Sequence, residues 1–132
     1  MADAFFDSNI LLYLISEDVG KAARSEALLL GGGVISVQVL NEFTDVARRK
    51  HALEWPEIRA VLAPVRRAVT IASLTVETYE RAAMLSGRYS YRFYHALILA
   101  AGLLADCTVL YSEDMQHGQV IDGQMTILNP YL

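Results

Sequence analysis

Short apolar runs that alternate with longer segments of helical period constrain this chain more than any other feature. Ala4-Phe5-Phe6, Val34-Ile35, Val69-Thr70-Ile71, Thr108-Val109-Leu110-Tyr111 and Thr126-Ile127-Leu128 read as strands, being short and rich in β-branched or aromatic residues. Between them lie helical patterns with recognisable ends. Asp7-Ser8-Asn9 offers cap chemistry for a helix through Ile10–Leu14, and Lys21–Leu30 is closed by Gly31-Gly32-Gly33. Ser36 caps a helix from about Val37 to Lys50, and Pro56 suits the first turn of another to about Arg67. Thr75–Ser86 and Tyr91–Ala105 complete the set; the last is apolar nearly all round and is expected to be buried. Strands alternating with helices predict an α/β fold, a parallel sheet of four to five strands covered on both faces.

At 132 residues the chain is long enough for one domain, 1–132, with a core that needs no disulfide. Cys107 is the lone cysteine. Its apolar surroundings predict a buried thiol in a reducing compartment. The start of the chain carries acids where a secretory leader needs lysines. The longest apolar stretch, Ala96–Ala105, is too short for a bilayer. A cytoplasmic protein with no membrane association is expected. Apolar residues make up 54% of the sequence, so some of that surface is expected to meet a partner or a second copy. The formal charge of -4 provides no general attraction for nucleic acid, so any such contact must be local.

In open parallel sheets, ligands bind beyond the carboxyl ends of the strands. Asp7 directly follows the first strand, and Ser112-Glu113-Asp114 follows the fourth. Glu42 and His95 lie on helices that follow other strands. Each has an ordinary explanation: Asp7 as a helix cap, Glu42 as a solvated residue paired with Arg49, Asp114 as loop polarity. Glu42, however, falls at the edge of the buried stripe Val39, Leu40, Phe43, Val46 and Ala47, where a carboxylate can face a cleft. Glu113 is expected to point away from Asp114. Carboxylates converging at one sheet end repel unless a cation neutralises them. All-oxygen sites suit Mg²⁺ or Mn²⁺, which bind phosphate oxygens and activate water for attack on a phosphodiester.

Four segments together resemble the PIN-domain family. Phe5-Phe6-Asp7-Ser8-Asn9-Ile10-Leu11-Leu12-Tyr13-Leu14 resembles its opening, and Ile35-Ser36-Val37-Gln38-Val39-Leu40-Asn41-Glu42-Phe43 its second motif. Phe93-Tyr94-His95-Ala96-Leu97-Ile98 is similar to the third, and Leu110-Tyr111-Ser112-Glu113-Asp114-Met115-Gln116-His117-Gly118 to the fourth. Within the family the chain looks most like VapC-type toxins of bacterial toxin–antitoxin pairs. The resemblance implies a three-layer α/β/α sandwich that commonly dimerises. It also implies a Mg²⁺- or Mn²⁺-dependent endoribonuclease that cuts RNA and is neutralised by a cognate antitoxin. Carried over, Asp7, Glu42 and Asp114 would be metal ligands and catalytic residues, with Ser8 and Ser112 as hydrogen-bonding neighbours. His95 occupies the remaining ligand position, where the family normally has Asp.

Three accounts of His95 compete: an inactivating substitution, an imidazole ligand for a softer metal such as Mn²⁺ or Zn²⁺, and a structural histidine. Because the position matches a ligand, reduced activity from a lost carboxylate is preferred. The alternative reading is a PIN-fold binding module without catalysis. A phospho-accepting receiver domain also gathers acids at strand ends, but it wants a lysine after its last strands, and the lysines here are Lys21 and Lys50.

Two segments are locally basic. Arg88-Tyr89-Ser90-Tyr91-Arg92-Phe93-Tyr94 interleaves cations with rings, which offers single-stranded RNA phosphate contacts and stacking surfaces, but the preferred reading is that the rings anchor the buried helix while the arginines face water. Arg48-Arg49-Lys50-His51 is explained by the preference of cations for a helix C-terminus. His117 is expected to play a solvated or hydrogen-bonded loop role.

Overall fold

The computed structural model describes residues 3–132. Strands β1 (Ala4–Phe6), β2 (Gly33–Ser36), β3 (Val69–Ala72), β4 (Val109–Tyr111), β5 (Val120–Ile121) and β6 (Met125–Leu128) form one sheet. The helices are α1 (Ser8–Leu12), extended by a 3-10 turn at Tyr13–Ile15, then α2 (Val19–Leu30), α3 (Val37–His51), α4 (Trp55–Ala68), α5 (Val76–Tyr89) and α6 (Phe93–Leu104). The strand order is β3-β2-β1-β4-β6-β5. Adjacent strands are parallel throughout, except that β5 runs antiparallel to β6.

That order places the reversal of chain direction across the sheet at β1. From β1 the chain moves outward through β2 to β3, then returns to lay β4 on the other flank of β1. The carboxyl ends of β1 and β4 therefore meet at a switch point, where the crevice of an open α/β sheet lies. Phe6 stands beside Tyr111 in register, so Asp7 and Ser112 emerge side by side.

The core joins the two faces of the sheet. Phe5, Phe6, Ile35, Leu110 and Ile127 are buried from the strands, and Val39, Phe43, Leu85, Ile98 and Leu99 from the helices. The α6 helix is buried along most of its length, as its sequence requires. Its first turn begins at Phe93 rather than Tyr91, because Ser90 adopts positive φ and ends α5. Cys107 is buried, and burial raises its thiol pKa to about 11. Among the described residues, no helix is long and apolar enough to cross a membrane.

The sheet has one strand more than the sequence reading allowed. Val120–Ile121 is only two residues long, too short for a periodicity argument. The available signal was Asp122-Gly123, a common hairpin pair. Both residues take positive φ, 50° and 66°, and they turn the chain back into β6.

Gly33 shows how tightly β1 and β2 are matched. Its φ is +148°, and a Cβ there would lie 2.5 Å from Phe6 Cε2 and 2.7 Å from the Ala4 carbonyl oxygen. One obstacle is backbone and cannot swing aside. Gly33→Ala is expected to cost about 2–3 kcal/mol through combined overpacking and backbone strain. Urea unfolding measures this; an unchanged midpoint would mean the strands separate at no cost.

Candidate metal centre and its surroundings

Asp7 ends β1 and caps α1, its Oδ1 accepting from the Ser8 backbone N–H at 2.7 Å. Its Oδ2 accepts from Ser112 Oγ at 2.8 Å, so the first residue after β4 holds the carboxylate from the other side. The Ser112 hydroxyl oxygen in turn accepts the Asp114 N–H at 3.1 Å. This small turn after β4 brings the Asp114 carboxylate back over Asp7. From the first turn of α6, His95 completes the group. One ligand atom each from Asp7, His95 and Asp114 lie within 4.8 Å of one another.

Asn9 ties these groups together, a role the sequence reading missed. Its Nδ2 donates to Asp114 Oδ2 at 3.1 Å and approaches Asp7 Oδ2 and Ser112 Oγ at 3.4 Å. Its Oδ1 accepts the Glu113 N–H at 3.2 Å. A single buried amide thus bridges the ends of β1 and β4. The available signal is Asn two residues after an Asp at a strand end, a pattern that helix-cap chemistry also explains.

Glu42 stands outside the 4.8 Å group but within its field. Burial raises its pKa first, and the charge of Asp7 adds to the rise. The polar side chains of Ser8 and Gln38, and the charge of Arg92, oppose it. The expected Arg49 partner is engaged elsewhere, with Asp45 at 3.0 Å. Gln38, on the preceding turn of α3, donates to the Tyr94 carbonyl at 3.0 Å. That bond couples the helix carrying Glu42 to the helix carrying His95.

Asp7 is nearly inaccessible, and burial raises its pKa. The bonds from Ser112 and Ser8 and the His95 charge pull the other way, while Asp114 adds to the rise. Asp7 is thus hard to ionise in the metal-free protein. Carboxylates supplemented by an imidazole fit a divalent ion such as Mn²⁺, and suit Mg²⁺ less well than an all-oxygen set.

The remaining candidates have structural roles. Glu113 points away from the cluster, as expected: Lys21 Nζ sits 2.6 Å from its carboxylate, and Tyr13 donates to it. Burial favours its neutral form, but these bonds prevail and its pKa is lowered. His117 Nδ1 accepts the Asn129 N–H at 2.9 Å. In the aromatic segment, Arg88 and Tyr89 bind Asp122, and Tyr91 donates to Gln119 at 2.6 Å. Phe93 packs on Tyr79. These rings anchor α5 and α6 to the β5–β6 corner, and Tyr94 alone among them is largely exposed.

A parallel sheet with acids gathered at its switch point defines a class, and the sequence profile of the PIN domain matches residues 4–121. The chain belongs to the PIN-domain family. Its fold is similar to a chain of a toxin–antitoxin complex from Klebsiella pneumoniae, with 25% identity, 97% of this chain and 98% of that one covered, and a TM-score of 0.74. It is also similar to VapC20 of Mycobacterium tuberculosis, a sarcin–ricin-loop-cleaving toxin, with 17% identity, coverage of 84% and 91%, and a TM-score of 0.66. No curated protein sequence gives a significant match. The three-layer fold expected from the VapC-type resemblance is the fold observed.

Proposed function

We propose that the chain is a metal-dependent endoribonuclease toxin of VapC type, cutting RNA phosphodiesters and neutralised by a cognate antitoxin. The observation that carries this reading is the convergence of Asp7, His95 and Asp114 at the β1–β4 switch point, in a fold shared with an RNA-cleaving toxin. Asp7, Glu42, His95 and Asp114 would hold Mg²⁺ or Mn²⁺. When bound, the cation would neutralise phosphate charge and acidify the attacking water.

The chain's own residues supply placement and proton transfer. Asp7, buried and fixed by Ser8 and Ser112, is a rigid donor. Asp114 is exposed and can take a proton from the attacking water. Water attacks the phosphorus and the bond to the 3′-oxygen breaks, the leaving oxygen taking up a proton, so the products carry 5′-phosphate and 3′-hydroxyl ends. His95 withholds one negative charge from the set, which predicts weak metal binding and reduced turnover.

An apolar groove of about 540 Å³ supports the antitoxin part of the reading. Leu14, Val19, Leu29, Leu30 and Val61 line it between α2 and α4, and Val19 and Leu30 are exposed. An amphipathic antitoxin segment would cover such a surface. Exposed Leu74, Val76, Tyr79 and Tyr94 offer a second apolar face, for a homodimer in the cytoplasm.

The test is RNA cleavage with Mn²⁺ and Mg²⁺ beside an Asp7→Ala control, with end-group analysis. Expected is slow, metal-dependent cleavage that the control lacks. Wild-type protein without cleavage, but still binding an antitoxin, would favour the non-catalytic module.

A further inference from the structure

Beside the metal centre lies an open cleft of about 670 Å³. Asn9 and Asp114 line it from the site, Tyr13 and Glu17 from the segment after α1, and Lys50 and His51 from the end of α3. The basic run that closes α3 has a sufficient explanation in the helix dipole, yet the structure divides its members. Arg48 lies over the Trp55 ring, 4.8 Å from its centroid, and 3.8 Å from Glu54. Arg49 pairs with Asp45. Among the described residues, Lys50 has no acidic partner. It and His51 are exposed, and both line the cleft that contains Asp114.

The acids of the same wall are largely accounted for. Glu113 is neutralised by Lys21, and Asp114 belongs to the metal group. Glu17 has no cationic partner among the described residues. A free ammonium in a cleft that opens from a phosphodiester-cleaving site suits a phosphate of the strand flanking the bond cut, and Tyr13 lines the same cleft.

We infer that this cleft is the binding track for single-stranded RNA flanking the scissile bond, with Lys50 as its principal phosphate contact and His51 as a second hydrogen-bond donor. The inference rests on the ribonuclease reading above and adds the path of the substrate. Glu17 opposes the strand and limits its affinity.

Fluorescence anisotropy with a short single-stranded RNA tests this in an Asp7→Asn background, where the probe stays intact. Lys50→Gln should weaken binding and reduce the slope of log Kd against log salt by about 0.7, the share of one phosphate on a single strand. Lys50→Arg should restore the slope, and Glu17→Gln should tighten binding. Arg49→Gln, at the same helix end but paired with Asp45, should leave the slope unchanged. A slope insensitive to Lys50, or an equal loss from Arg49→Gln, would overturn the track. Lys50-dependent binding in a protein that never cleaves RNA would uphold the track while sinking the catalytic reading.

Discussion

His95→Asp should tighten Mn²⁺ binding and raise RNA cleavage, each by roughly 10- to 100-fold. That range is typical for changing one outer partner of a metal site, and a direct ligand should reach its upper part. The reason is charge. As a metal ligand an imidazole is a neutral donor beside Asp7 and Asp114, whereas a carboxylate brings a negative charge and the hard oxygen that Mg²⁺ prefers. Without metal, the same change should act in the opposite sense. The His95 charge is among the influences that ease ionisation of buried Asp7; a third acid in its place would add repulsion. The variant should therefore melt lower than wild type in chelator and gain more from added metal. A 100-fold tighter site adds about 2.7 kcal/mol at saturating ion by mass action. Calorimetric titration and melting with and without Mn²⁺ read both effects. If neither the dissociation constant nor the metal-induced shift moves, His95 is not a ligand position.

The second large effect is expected from Asp7→Asn. Cleavage should fall by more than the ~100-fold upper end for losing an outer partner of a metal site, while the metal-free protein becomes more stable. Asn keeps the shape, can accept from the Ser8 N–H and can donate to Ser112 Oγ, and it removes a buried charge. The sign follows from linkage. Burial raises the Asp7 pKa above its ordinary 3.8, so across that interval the folded chain binds more protons than the unfolded one. Stability then falls as pH rises from the ordinary carboxylate range through the raised value. Glu42, raised chiefly by burial and then by Asp7, contributes with the same sign. Glu113 acts the other way: its lowered pKa gives stability present above its ordinary 4.5 and lost on acidification. Urea midpoints of the metal-free protein across mildly acidic to neutral pH should decline, and Asp7→Asn should flatten the decline. A wild-type profile that does not decline, and is unaffected by the variant, would remove the case for a destabilising buried charge awaiting a cation. Loss of activity with gain of stability is the usual trade at a site built to hold something absent from the bare protein.

Much of the architecture was legible because it depends on short-range chemistry. Ser36 caps α3, Thr75 caps α5, and Pro56 lies in the first turn of α4, each where its local preference puts it. The edge strand Val120–Ile121 was not legible. Two residues carry no period, and their strand character comes from pairing with β6. The start of α6 was placed two residues early, because Ser90 ends α5 in a left-handed conformation that propensity alone does not assign to serine.

The candidate site divides in a similar way. Asp7, His95 and Asp114 stood at strand ends or at a family-like position, and they do meet. The role of Asn9 was hidden, since its partners Glu113 and Asp114 lie more than a hundred residues along the chain. The division of the α3 basic run was hidden for the same reason: Arg48, Arg49 and Lys50 look alike until Trp55, Asp45 and the cleft are in place.

The sequence by itself determined the element types apart from the β5 edge strand, the buried identity of α6 and the PIN-like order of acids, because periodicity, caps and strand ends are written within a few residues. Only the tertiary structure decided that β1 and β4 are neighbours, that Asn9 bridges their ends and that Lys50 is left free beside them. Those outcomes depend on which strand closes against which, and the free energy of that choice is spread over the whole core rather than held in any local pattern.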